Sequence, residues 1–311
     1  MPTPSSRRLA LITGASLALL AGCSSSSDSS SDTSGSHQAV ASSKVAVVAS
    51  TNVYGDITEQ IGGDKVSVTS IISDPDQDPH SYEANTQNQL ALSKAKVVIE
   101  NGGGYDDFVD RMLKSSNSAA EVVNAVKVSG KTAPKGGELN EHVWYDFPTV
   151  AKVTDSIAAA LGKADPGAAA IFTKNAEAFK AKLKPLEAKE AQIKKEHGGE
   201  GVAITEPVPL YMLDASGLVD KTPAAFSEAI EEGDDVSPKV LQATLALFSA
   251  KQVEALVYNA QTSGPQTEKS EAAAKAAGIP VVRVTETLPE GKDYLGWMTG
   301  NVDALAGALD K

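Results

Sequence analysis

A single cysteine, Cys23, occurs among 311 residues, which excludes an intrachain disulfide and any zinc cage built from thiolates. Aromatic side chains make up only 5% of the chain, few for a cleft that grips an organic solute by stacking, and only Trp144, Tyr145, Tyr211 and Trp297 stand near candidate loops. Cationic side chains are in the minority, 28 Lys and Arg against 40 Asp and Glu, so no nucleic-acid partner is expected. The apolar run from Leu9 to Leu20 is too short to cross a bilayer comfortably. There is no HExxH pair and no G-x-S-x-G turn, the short motifs of common metal-dependent and serine hydrolases. No repeat of solenoid period is visible.

Residues 1–22 read as a secretory signal, with Arg7 and Arg8 ahead of the apolar run and Leu20-Ala21-Gly22 leading into Cys23. That ending resembles the lipobox of bacterial lipoproteins. The resemblance implies cleavage before Cys23, acylation of its thiol and an extracytoplasmic chain anchored to the cell membrane. Residues 23–43 are nearly all Ser, Asp, Gly and Thr, too polar to bury a core, and are expected to act as a flexible tether. Loss of Arg7 and Arg8 with the signal leaves 26 basic against 40 acidic side chains.

From residue 44 the chain alternates β-branched runs with helical stretches, the pattern of parallel α/β units. Strands are expected at residues 44–48, 66–72, 97–99 and 122–128, with helices near 53–61, 87–94 and 106–113. These form a first α/β lobe over residues 44–147. Residues 148–197 switch to sustained helix. Asp165-Pro166 supplies a cap and first-turn pair, and Phe172, Phe179, Leu183, Leu186 and Ile193 line one face with Lys and Glu outward. Pro185 is expected to bend or break this connector. Alternation returns over residues 198–311, with strands at 201–205, 255–258 and 281–284 and helices near 238–247, 266–277 and 294–309. The fold class expected is therefore two mainly parallel α/β lobes joined by a long rigid helix.

Of the four histidines, two lie in acid-rich contexts: Asp78-Pro79-His80-Ser81-Tyr82-Glu83 and Glu141-His142-Val143-Trp144-Tyr145-Asp146. A neutral imidazole is the commonest side-chain ligand of transition metals, and nearby carboxylates orient it or balance charge. His37 falls in the tether, and His197 falls at a helix end where a cation suits the dipole. Asp146 reads either as a carboxylate supporting the metal-ligand histidine or, the favoured reading, as a helix cap ahead of Pro148.

These two motifs, with the stretch from Val48 to Asp56 and the turn Asn101-Gly102-Gly103, resemble the metal-binding solute-binding proteins of bacterial ABC importers, the zinc and manganese uptake class (zinc-uptake complex component A family). The likeness runs from about Val45 to the C-terminus. It implies a metal held between the lobes by His80 and His142 from the first and two acids from the second. Glu206, after the first strand of the second lobe, matches the third ligand position. Glu286, after a late strand, matches the fourth, where the family usually has aspartate. The longer side chain implies a loop set further back or a different mode of binding.

Two imidazoles and two carboxylates make a fairly hard, sulfur-free site that suits Mn²⁺, Fe²⁺ or Zn²⁺. Bidentate glutamates raise the coordination number and favour manganese, whereas the Irving–Williams order favours zinc. The function implied is capture of the ion by a monomer and delivery to an ABC permease, with no catalysis. Two alternatives stand beside it. One is a metal-dependent hydrolase using two histidines and a carboxylate; the other is a binding protein for an organic solute.

Overall fold

Valine- and isoleucine-rich runs form two four-stranded sheets, every pair of neighbouring strands parallel. The computed structural model describes residues 44–74, 82, 85–135 and 137–311. Cys23 and His80 lie outside them. The first sheet contains β1 (Val45–Thr51), β2 (Val66–Ile72), β3 (Val97–Glu100) and β4 (Glu121–Asn124), in the order β2-β1-β3-β4. The second contains β5 (Gly201–Ile204), β6 (Val219–Asp220), β7 (Ala255–Asn259) and β8 (Val281–Val284), in the order β6-β5-β7-β8. Strands β3 and β7 are buried at every residue, which explains their unbroken apolar character where a half-exposed strand would alternate. In both sheets the chain order reverses between the two central strands. In open α/β sheets ligands bind outside the carboxyl ends of strands at such a point.

Two helices link the sheets. Phe147–Ala164 begins at Asp146, whose Oδ2 accepts from the Thr149 backbone N–H at 3.0 Å, so the expected cap is present. Asp165 then caps a short 3₁₀ turn, and a 29-residue helix runs over Ala169–His197. At about 1.5 Å per residue it spans roughly 44 Å. All five residues of the expected stripe are buried, in an apolar cluster that continues from Val47 and Ile99 of the first sheet to Val257 and Val284 of the second.

The structure departs from the sequence reading in four places. Of the two outcomes expected at Pro185, a bend or a break, the break does not occur: one helix continues through it. Its ring lies on the exposed face, beside exposed Ala181, so the carbonyl left without an amide partner faces water and the buried stripe is undisturbed. Glu190 points inward on that stripe, 4% exposed. The expected strand over residues 122–128 ends at Asn124, whose side chain accepts from the Lys127 N–H and starts a short helix over Ala125–Ser129. Helices Leu210–Ala215 and Ala224–Glu231 and the short strand β6 fill a stretch left unassigned. Among the described residues no helix is long and apolar enough to cross a membrane.

Candidate metal centre

His142 does not follow a strand directly. It stands after the Ala125–Ser129 helix and a loop, just ahead of a 3₁₀ turn over Val143–Tyr145. Its position is fixed from behind by the Asn101-Gly102-Gly103 turn. The Asp106 carboxylate accepts from the backbone N–H groups of Asn101 (2.6 Å) and Gly102 (2.7 Å), while Tyr54 donates to Asn101 Oδ1 at 2.5 Å. So oriented, Asn101 Nδ2 donates to the Glu141 carbonyl at 3.0 Å, one residue before the histidine.

The protonation of the ring follows from its other neighbour. Asn140 Oδ1 accepts from the His142 backbone N–H at 3.0 Å and lies 2.8 Å from ring Nδ1. Asn140 Nδ2 donates to the Pro207 carbonyl at 3.0 Å, which sets the amide orientation. A carbonyl oxygen carries no proton, so Nδ1 must be the donor, and in the neutral ring the lone pair is on Nε2. That atom faces carboxylates: Glu231 Oε1 at 3.7 Å and Glu286 Oε2 at 3.9 Å. Tyr105 and Trp144 wall the ring with centroids 6.0 and 5.1 Å away. The His142 side chain itself is wholly buried.

The acids come from the second sheet. Glu206 follows β5 and is 3% exposed; Glu286 follows β8 and is 2% exposed. Glu206 is not a helix cap, because the next helix starts at Leu210 behind Pro209 with no side-chain cap. Asn259, the last residue of β7, donates through Nδ2 to Glu206 Oε2 and to Glu286 Oε1, the latter at 2.9 Å. One amide thus holds the two acids side by side. Gln261 Oε1 accepts from the backbone N–H groups of Glu286 (2.5 Å) and Thr287 (3.1 Å), fixing the loop.

The structure therefore brings together three of the four expected ligands, His142, Glu206 and Glu286. His80 belongs to the residues left undescribed. It also adds Glu231, which the sequence reading passed over, and Glu141, read there only as a carboxylate beside the histidine. Ligand atoms of Glu141, His142 and Glu231 all lie within 4.8 Å of one another. Burial, then the charges of Glu141, Glu206, Glu286 and Glu232, push the Glu231 carboxyl up to about 9. Burial and Glu138 push Glu141 up to about 7, against an opposing backbone hydrogen bond. A pocket of acids around an imidazole lone pair is electrostatically unfavourable unless protons or a cation occupy it. Ligand atoms about 2.1 Å from a shared ion are roughly 3–4 Å apart, so the 3.7 and 3.9 Å separations suit a transition-metal ion. The other histidine among the described residues, His197, instead meets Glu200 and Asp310 at 3.2 Å each, at the C-terminal end of the long helix.

Comparison with known proteins agrees in fold and sequence. Residues 47–308 match the model of the family described as zinc-uptake complex component A, periplasmic. The manganese ABC transporter substrate-binding lipoprotein of Streptococcus gordonii is 27% identical over 313 residues, covering 94% of this chain and 95% of that protein. The iron ABC transporter substrate-binding lipoprotein of Streptococcus pyogenes is 26% identical, covering 98% and 99%. Among solved structures, the periplasmic zinc-binding protein of Treponema pallidum superposes with a TM-score of 0.73 at 20% identity, over 86% of this chain and 99% of that one. A solute-binding protein of Pseudomonas aeruginosa in complex with Mn²⁺ gives 0.72 at 23% identity, over 86% and 98%.

Proposed function

The chain belongs to the zinc-uptake complex component A family of periplasmic proteins, and from that premise we propose that it captures a divalent transition-metal ion outside the cytoplasm and hands it to an ABC permease. The observation that carries this reading is the His142 ring, its Nε2 aimed at carboxylates from the second half of the chain. His80, His142, Glu206 and Glu286 are the proposed ligands. Mn²⁺, Fe²⁺ and Zn²⁺ all suit such a donor set, and two relatives are named for manganese and iron. The ion is cargo, so the protein performs no reaction on it.

In this reading residues 44–147 and 198–311 are the two lobes and residues 148–197 the connector. Cys23 carries the lipid that keeps a monomer at the membrane, as the names of the lipoprotein relatives suggest. The ligand loops also carry cross-lobe hydrogen bonds. Asn140 donates to Pro207, Tyr145 OH donates to the Thr285 carbonyl at 2.7 Å, and Tyr211 OH donates to the Asn140 carbonyl at 2.6 Å. A permease that breaks these bonds on docking would pull His142 away from Glu206 and Glu286, and so release the ion.

Titration calorimetry with Mn²⁺ and Zn²⁺, paired with melting curves, tests the proposal. Both metals should raise the melting temperature of the unmodified chain, and His142→Ala should abolish tight binding while leaving the circular dichroism spectrum unchanged. Full retention of affinity in that variant would exclude His142 as a ligand.

A further inference from the structure

Glu231 ends the Ala224–Glu231 helix, and its Oε1 approaches His142 Nε2 more closely than Glu286 does, 3.7 against 3.9 Å. The side chain is 18% exposed, yet its Oε1 is shut off from solvent and receives no hydrogen bond among the described residues. Around it opens a cavity of about 330 Å³, lined by Glu138, Glu141, Asp220, Glu228, Glu231 and Glu232 together with neutral residues. No lysine or arginine is among the lining side chains. The cavity is more than an acidic surface patch, because Glu231 on its wall lies 3.7 Å from a fully buried imidazole whose tautomer is fixed by Asn140.

We propose that Glu231 is itself a ligand of the transported cation, a third carboxylate beside Glu206 and Glu286, at the inner end of an acidic cavity through which the hydrated ion arrives. This rests on the metal-binding reading above and extends it. Glu141 lines the same cavity within 4.8 Å of the cluster and attracts the ion without needing to bind it directly.

The extra carboxylate bears on which ion is kept. Each added oxygen raises both the coordination number and the hardness of the site. Six-coordinate oxygen-rich sites suit Mn²⁺, whereas Zn²⁺ is satisfied by four ligands. Glu231 should therefore matter more for manganese than for zinc.

The test uses the purified chain and its Glu231→Gln, Glu231→Asp and His142→Ala variants, titrated separately with MnCl₂ and ZnCl₂ at one pH. Glu231→Gln should lose at least about tenfold in Mn²⁺ affinity, the scale at which even groups beyond the direct ligands act, and less in Zn²⁺ affinity. Glu231→Asp should fall between it and the unmodified chain. If Glu231→Gln binds both ions as the unmodified chain does while His142→Ala binds neither, Glu231 is not a ligand and the metal-binding reading stands. If His142→Ala binds both ions normally, the metal-binding reading is what fails. A crystal structure of the unmodified chain with Mn²⁺ decides the case should Glu231→Gln not fold. A Glu231 oxygen about 2.2 Å from the ion is expected, and one held beyond hydrogen-bonding range of it would overturn the assignment.

Discussion

Asn52 and Leu288, 236 positions apart, exchange a reciprocal pair of hydrogen bonds: the Asn52 amide donates to the Leu288 carbonyl and accepts from the Leu288 N–H, both at 2.9 Å. The first helix is thereby tied to the loop that carries Glu286, two residues upstream of Leu288. Asn52→Ala leaves both backbone groups without this partner. A loss of about 1–3 kcal/mol in urea unfolding is expected, together with weaker metal binding measured by calorimetry. Unchanged affinity alongside reduced stability would show that the tie serves folding alone.

Asn259 holds Glu206 and Glu286 together with a single amide. Asn259→Asp removes the donor and adds a further buried negative charge. In the presence of EDTA the variant should lose at least about 2 kcal/mol. Saturating Mn²⁺ should restore part of that loss, since a bound cation offsets the added repulsion and favours the folded state. A variant as stable as the unmodified chain in EDTA would rule out this role for the amide.

Much of the fold was legible because local composition and tertiary environment agree. Val66–Ile72, Val281–Val284 and Tyr294–Leu309 stand where their apolar patterns put them. The run after Val122 misled because it stays β-branched past Asn124, and only the cap formed by that side chain marks the turn into helix. Glu206 and Glu286 could be reached because the resemblance matches each to a position after a strand, and both do follow strands. Glu231 could not: it ends an eight-residue helix in a stretch rich in Pro, Gly and Asp, and only the tertiary fold brings it to His142. Glu190 lies four residues after Leu186 and three before Ile193, so the helical period alone places it inward.

Gly102 and Gly104 both have positive φ, +75° and +106°, but differ in surroundings. A Cβ at Gly102 would stand 2.2 Å from Asn124 Nδ2, whereas one at Gly104 meets nothing within 4 Å. Gly104→Ala should therefore cost only the backbone strain, about 1–3 kcal/mol. Gly102→Ala should cost more, and should also weaken metal binding, because it displaces the turn through which Asn101 positions Glu141 and His142. Denaturant unfolding and calorimetry of the two variants provide the comparison, and equal effects would contradict the steric argument.

Glu190 is a buried carboxyl in the C-terminal part of the long helix Ala169–His197, pushed from 4.5 up to about 8 by burial and then by the charges of Asp146 and Glu187. Below pH 4.5 both the folded and the unfolded chain hold its proton. Between 4.5 and 8 the unfolded chain ionises while the folded chain keeps the proton. The unfolded state then binds fewer protons, so stability must fall as pH rises through this window, and the loss is complete above it. Glu190→Gln keeps the shape and removes the titration. Melting curves in EDTA should nearly coincide for the two proteins at pH 4, whereas at pH 8.5 the variant should melt higher. Equal melting temperatures at both ends would mean that Glu190 ionises inside the folded protein at its ordinary pH, with water or a cation reaching the buried face of the helix.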